Sequence, residues 1–457
     1  MYINMKNLRL VMMLLAVLGL GACKKFLEVK PNARLVIPST LADLQGLLDD
    51  PDRMNFMKTP TLGECVADDF FLPPDIFASR EETGRAIYLW QPFENRFAND
   101  WSAAYQPIYN ANLVLELIEK VPRDALNATA WDNVKGSALF FRAYYYALLT
   151  MNYGKAYDVN QSKSDLGVVL RLASDFNVKA TRATGEQCFS QVISDADQAV
   201  RLLPNSSAQT TRPSKAAAYG LLSRTYLYMR DYQKAMVNAD ECLKIKSSLM
   251  NFNSDADILG LTLNIPFKRF NKETIFYTEG TTNYDINSPT RARVDSNLYS
   301  SYHVNDLRRT GYFRLVSGYQ QFKGSYASSP TLLFSGLAVD EMLLNRAEGR
   351  AKTGDLTGAI EDLNVLLRTR WRNTVPYVPV VALNTLDALE KVRTERRKEL
   401  LMRQTRFTDI KRLNMEGANI TARRAANGKV YELAPYAPYY ALPIPVDIIQ
   451  LTGIESN

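Results

Sequence analysis

Two stretches of the chain, 124 residues apart, carry one pattern. Residues 214–246 read SKAAAYGLLSRTYLYMRDYQKAMVNADECLKIK, and residues 338–370 read AVDEMLLNRAEGRAKTGDLTGAIEDLNVLLRTR. Tyr219 aligns with Leu343, Ser223 with Ala347, Ala235 with Ala359 and Leu243 with Leu367. Each unit predicts a helix, a turn at Arg230-Asp231 or Gly354-Asp355, and a second helix. Small residues stand where paired helices must approach closely. Such a pair cannot bury its apolar face alone and has to stack on neighbours. The same helical period runs through Trp101, Tyr105, Ile108, Asn112, Leu115 and Ile118. It continues through residues 131–150, which are apolar on more than one face and predict a largely buried helix. A further helix is predicted over 186–203, ended by Pro204, and a short one over Leu41–Leu48. The chain is therefore predicted to be mainly α.

The paired units are similar to the tetratricopeptide repeat, whose period is about 34 residues. They are not tandem, because residues 247–337 separate them without a sustained helical period. Residues 50–100 hold Pro51, Pro60, Pro73, Pro74 and Pro92 and are predicted to be ordered loop with little regular structure. The expected architecture is a helix-pair scaffold over about 101–246 and 338–412. Loop-rich insertions over about 50–100 and 247–337 would carry the function, as long insertions in compact proteins usually do.

The amino terminus, MYINMKNLRLVMMLLAVLGLGAC, reads as an address. Lys6 and Arg9 precede an 11-residue apolar run, Leu10–Leu20. That run is too short to span a bilayer and has the length of a signal-peptide core. Leu20-Gly21-Ala22-Cys23 then resembles the bacterial lipobox, with Cys23 as the acylated first mature residue. Residues 1–22 are expected to be a lipoprotein signal peptide and 23–40 a lipidated tether broken by Pro31 and Pro38. Residues 41–457 are expected to form one domain held at a membrane by lipid.

Among 457 residues there is one histidine, His303, and the four cysteines (Cys23, Cys65, Cys188, Cys242) are far apart. A multi-histidine metal site is excluded, and no CxxC or HExxH occurs. Cys188 and Cys242 fall in helical stretches and read as buried free thiols. Asp255-Ala256-Asp257 lacks the full spacing of a calcium loop, so no metal or cofactor is expected. The net charge of +7 is uneven. Residues 391–430 hold 12 Lys/Arg against 4 Asp/Glu. Glu395, Glu399 and Asp409 are interleaved there, which predicts internal ion pairs and argues against a nucleic-acid surface.

Exposed aromatics on loops favour binding over core packing, with a few polar groups to orient what is bound. Residues 277–326 contain nine aromatics: Tyr277, Tyr284, Tyr299, Tyr302, Tyr312, Phe313, Tyr319, Phe322 and Tyr326. They lie outside helical spacing among Gly, Ser and Asn. The ligand candidates are Tyr284, Tyr299, Tyr302, Tyr312 and Tyr319, with Trp90 in its own loop and Asp68 and Asp69 to orient hydroxyls. Trp101 and Trp131 read as core, and Trp371 is open. His303 is expected to be a solvated or hydrogen-bonded loop residue.

The order of elements resembles the SusD/RagB family of outer-membrane nutrient-binding lipoproteins. The resemblance is carried by Phe26-Leu27-Glu28 and Pro31, Gly63-Glu64 with Asp68-Asp69, and Trp101, Tyr105, Ile108 and Ala111-Asn112. It continues in Arg142-Ala143 with Tyr153-Gly154 and in Arg182-Ala183-Thr184 through Leu203-Pro204. It ends in Glu395–Leu400, Arg406–Arg412 and Leu442-Pro443-Ile444-Pro445. Arg403-Gln404 stands where the family usually has a Glu-Gly pair. The resemblance implies a surface-exposed protein that binds oligosaccharide or peptide without catalysis. It also implies delivery of that ligand to a SusC-like TonB-dependent outer-membrane transporter. A lipid-anchored glycan hydrolase and a periplasmic tetratricopeptide scaffold are the alternatives.

Overall fold

The computed structural model describes residues 38–457. The signal peptide, the Cys23 lipidation site and nearly all of the tether lie outside the described residues. Helix α1 (Leu41–Asp49) comes first. Four short helices follow: α2 (Pro51–Met54), α3 (Leu62–Val66), α4 (Pro74–Ala78) and α5 (Glu82–Tyr88), with strand β1 (Phe70–Phe71) among them. The sequence predicts little regular structure here because its prolines read as breakers. Pro51 and Pro74 instead occupy first helical positions, where a missing N–H is not needed.

The scaffold begins with α6 (Asp100–Ile118) and the 26-residue α7 (Ala128–Tyr153). The pair β2 (Leu166–Val169) and β3 (Arg182–Thr184) leads into α8 (Gly185–Leu202). Thr184 and Gln187 cap α8 reciprocally, a capping box. Helices α9 (Lys215–Met229) and α10 (Tyr232–Ile245) form the first sequence repeat. After the insertion, α13 (Val339–Thr353) and α14 (Leu356–Arg370) form the second. Both hairpins turn alike. Arg230 and Gly354 take left-handed backbone conformations, φ 64° and 97°. Asp231 and Asp355 then cap the next helix, accepting from Lys234 N (3.1 Å) and Gly358 N (2.8 Å).

The stack is continuous in space although the repeats are separated in sequence. Helices pack in the order α6, α7, α8, α9, α10, α13, α14, and α10 lies directly on α13. Gly349 of α13 makes that approach possible, since a Cβ there would sit 2.6 Å from Met236 Cβ. Ser223 Oγ accepts from Asn345 Nδ2 (3.1 Å), joining the two repeats across their interface.

The insertion between α10 and α13 leaves and returns beside β4 (Thr274–Phe276), which pairs with β8 (Leu337–Ala338). Between them lie β5 (Arg293–Val294), α11 (Ser296–Ser300), α12 (Arg308–Gly311) and the hairpin β6 (Phe313–Val316)–β7 (Tyr319–Phe322). Its core is continuous with that of the scaffold. Phe276 packs on Phe140 (4.7 Å between ring centroids) and Tyr144 (5.2 Å) of α7. The chain closes with α15 (Thr385–Glu399), α16 (Arg406–Asn414), the hairpin β9 (Ala422–Ala426)–β10 (Lys429–Leu433) and α17 (Val446–Thr452).

The basic stretch is ion-paired, as its interleaved acids predict. Arg412 meets Glu348 (2.7 Å) and Asp409 (2.7 Å), Arg396 meets Asp409 (2.8 Å), and Glu399 takes Arg308 (2.8 Å) and Arg370 (2.7 Å). Cys65, Cys188 and Cys242 are buried free thiols.

Candidate functional site

The two insertions meet around one carboxylate. Asp100, buried at the start of α6, accepts from the backbone N–H groups of Thr61 (2.6 Å) and Leu62 (2.7 Å) in the first insertion. From the second insertion it accepts the Thr281 hydroxyl and Asn283 Nδ2 (3.2 Å). Burial pushes its pKa up to about 6, against the pull of these donors. Next to this junction β1 pairs with β5, placing Phe71 opposite Arg293, and β5 lies against β7. The Phe71 and Tyr319 rings form a T-shaped pair, with centroids 5.1 Å apart and planes at 82°. Tyr319 is 45% exposed, so part of its ring is open to solvent. Arg314 is held by Gln321 (2.9 Å), which is in turn fixed on Thr290 O (2.6 Å). An open ring beside a half-buried guanidinium that the buried Gln321 anchors can stack on a sugar face and orient its hydroxyls.

The expected ligand residues do not form one site. Tyr302 and Tyr312 are each only 2% exposed, which corrects their reading as loop aromatics open to a ligand. Tyr302 O–H donates to Lys398 O (2.7 Å), and both rings pack on Phe313. They build the insertion's own core with Phe267, Tyr326 and Phe334. Tyr299 is half-buried under Arg309, whose guanidinium lies 4.4 Å from the ring centroid and donates to its hydroxyl (2.9 Å). Tyr284 is half-buried and donates to Asn95 Oδ1 (3.0 Å).

Asp68 and Asp69, expected to orient ligand hydroxyls, are held in ion pairs. Asp68 takes both Nε (2.6 Å) and Nη2 (2.9 Å) of Arg406, and Asp69 takes Arg397 Nε (2.8 Å). Burial would raise Asp68, but the guanidiniums of Arg406 and Arg397 overcome it and hold the carboxyl well below the usual range. These acids tie the first insertion to α15 and α16. Trp90 is half-buried, donates to Val66 O (3.0 Å) and covers Arg424, whose guanidinium lies 4.9 Å from the ring centroid. Trp101 and Trp131 are core, as expected. The exposed His303 stacks on Trp371 at 4.7 Å.

Phe71 and Arg314 escaped sequence reasoning. Phe71 stands in a proline-rich segment without a period, and only the β1–β5 pairing brings it to Tyr319. A close carboxylate group, Glu273, Asp340 and Glu399, lies in the core. Each carboxylate already takes a guanidinium, from Arg370 (3.0 Å), Arg403 (3.1 Å) and Arg308 (2.8 Å) respectively. The group therefore reads as a buried charge network in which arginines fill the place of a cation.

A family model described as starch-binding and associating with the outer membrane matches residues 25–227. A second, described as the SusD family, matches residues 223–450. The chain belongs to the SusD family. Solved SusD-type structures share its fold. A SusD superfamily protein from Bacteroides thetaiotaomicron VPI-5482 has a TM-score of 0.74 at 21% identity, covering 92% of this chain and 99% of that one. A SusD-like carbohydrate binding protein from Bacteroides vulgatus ATCC 8482 has a TM-score of 0.66 at 19% identity, covering 91% and 96%. A SusD superfamily protein from Bacteroides fragilis has a TM-score of 0.71 at 19% identity, covering 92% and 99%. No curated protein matches the chain. Among the described residues of this SusD-family chain, no helix is long and apolar enough to cross a membrane.

Proposed function

We propose that this SusD-family protein is a nutrient-binding lipoprotein of the outer membrane, anchored through Cys23 and exposed at the cell surface. It binds oligosaccharide on the face where the two insertions meet and delivers it to a SusC-like TonB-dependent transporter. The observation that carries this reading is the succession of two SusD-type family models over residues 25–450. The open Tyr319 ring supplies a stacking surface of the right chemistry. The lipobox at Leu20–Cys23 supplies the anchor. The protein's work is recognition and transfer, with no bond broken.

Purification of the protein from native membranes should bring down a large TonB-dependent barrel, and protease shaving of intact cells should cleave the protein. Titration with a glycan panel should find an oligosaccharide ligand, with Tyr319→Ala weakening it about ten-fold. Recovery without a barrel, together with protection from the protease, would favour a periplasmic scaffold. Binding of peptides and of no glycan would move the ligand to the other class.

A further inference from the structure

We propose a second carbohydrate subsite, in the cleft between α6, the loop 170–181 and α17. This rests on the oligosaccharide-binding reading and extends it to a place away from Tyr319. Ser102, Gln106 and Tyr109 recur at four- and three-residue steps and share one face of α6, beside the stripe that packs into the core. Across the cleft, Phe176 stacks on Tyr109 with centroids 4.9 Å apart and planes 20° from parallel. Phe176 is nonetheless 73% exposed, so its outer face is bare. The cavity holds about 400 Å³, with Trp101 and Ile108 also lining it. That volume, aromatic walls and a few polar groups are the makeup of a small-molecule site.

Two observations separate this cleft from an incidental groove. The first is its unused polar chemistry. The Ser102 hydroxyl and the Gln106 amide make no side-chain hydrogen bond to the rest of the described protein, and both line the cavity. Arg171 spends only Nη1, on Asp175 O (3.3 Å). Hydroxyl, amide and guanidinium groups beside an aromatic face suit a neutral polyol ring, whose C–H face stacks while its hydroxyls exchange hydrogen bonds.

The second observation is the anchoring of residues 169–174, which lead directly into Phe176. Tyr105 O–H donates to Val169 O (2.7 Å). Tyr146 O–H donates to Arg171 O (2.6 Å) and accepts from Arg171 N (2.7 Å). Asn112 Nδ2 donates to Arg171 O (2.8 Å), and Glu116 accepts from Ser174 N (2.6 Å). Asn112 is itself held by Arg142 (3.1 Å), which Asp195 grips through two bonds (2.7 and 2.8 Å). A loop pinned in this way presents its exposed aromatic at low ordering cost, which is preorganisation for a ligand. We infer that the cleft takes one or two pyranose rings of the same oligosaccharide class.

The test is calorimetric titration of the purified protein with hexaoses of glucose, xylose and mannose. Phe176→Ala should weaken the best-bound hexaose about ten-fold, and Phe176→Tyr should stay within about two-fold of the parent. Because Phe176 is exposed, thermal melting of Phe176→Ala should match the parent, so the fold is not in question. Unchanged affinity in Phe176→Ala, with weakened affinity in Tyr319→Ala, would overturn the cleft and leave the family reading standing. Binding of no hexaose by the parent would overturn the cleft together with the oligosaccharide reading on which it rests.

Discussion

Lys411 is a buried cation of the basic stretch that is held by carbonyls and takes no acid among the described residues. It is 2% exposed and donates to the carbonyls of Met151 (2.7 Å) and Gly154 (2.7 Å), at the C-terminal end of α7. Burial pushes its pKa down to about 7. In the unfolded chain a lysine ionises near ~10.4. Between these values the unfolded state binds more protons, so stability rises with pH. The slope is at most about 1.4 kcal/mol per pH unit from this group, and it vanishes below about pH 7. Urea midpoints measured from pH 7 to 10 should climb more steeply for the parent than for Lys411→Met. Parallel curves would show that Lys411 does not titrate there. Asp68 makes the opposite case. It is an acid held ionised by Arg406 and Arg397, so Asp68→Asn leaves the buried Arg406 only the more distant Asp69 carboxylate at 3.6 Å. That substitution should cost about 3–5 kcal/mol in urea unfolding at pH 7. A loss below about 1 kcal/mol would place the pair among exposed salt bridges instead.

At the scale of elements, two glycines with one local propensity have opposite surroundings. Gly46 lies on the exposed side of α1, where an added Cβ would meet nothing within 4 Å, whereas a Cβ at Gly349 would meet Met236 and Tyr232 of α10. Gly46→Ala should stabilise the protein by about 0.5–1 kcal/mol through helix propensity alone. Gly349→Ala gains the same propensity but must push α10 away from α13, and should lose about 1–3 kcal/mol net. Thermal melts of the two variants should shift in opposite directions. The contrast also shows what a sequence discloses. The scaffold helices were legible because each buries a stripe at helical spacing, and the two turns because Asp231 and Asp355 can cap the following helix and Gly354 suits a left-handed turn. The direct contact of α10 with α13 was not legible, because it spans the whole second insertion. Tyr302 and Tyr312 failed for a related reason. Their burial comes from Phe313, Phe267 and α15, and no local period records it. The Tyr319–Phe71 pair likewise depends on a strand pairing between segments more than 200 residues apart.

For the molecule as a whole, the question is whether the insertions are appendages or belong to one cooperative body. Residues Leu41–Asn457 form one compact unit. Phe276 of the second insertion packs on Phe140, Phe141 and Tyr144 of α7. Without it, these buried aromatics of α7 would face water. Asp100 then holds the first insertion, the second insertion and α6 together, accepting from Thr61, Leu62, Thr281 and Asn283. A binding face built on such insertions keeps its geometry only while the scaffold is folded. Native-state hydrogen exchange should therefore report the same opening free energy for amides of β4 and for those of α7 between Gly136 and Tyr153. Asp100→Ala strands several buried donors, each worth about 1–3 kcal/mol. It should lower both sets of protection together, by about 3 kcal/mol or more. If β4 opened at a clearly lower free energy than α7, or if Asp100→Ala lowered protection only in the insertions, the binding face would be a locally unfolding layer on an independent helical stack. Equal values would mean that ligand affinity and global stability are set by the same contacts, so that destabilising the scaffold far from Tyr319 would weaken binding in proportion to the unfolded fraction it creates.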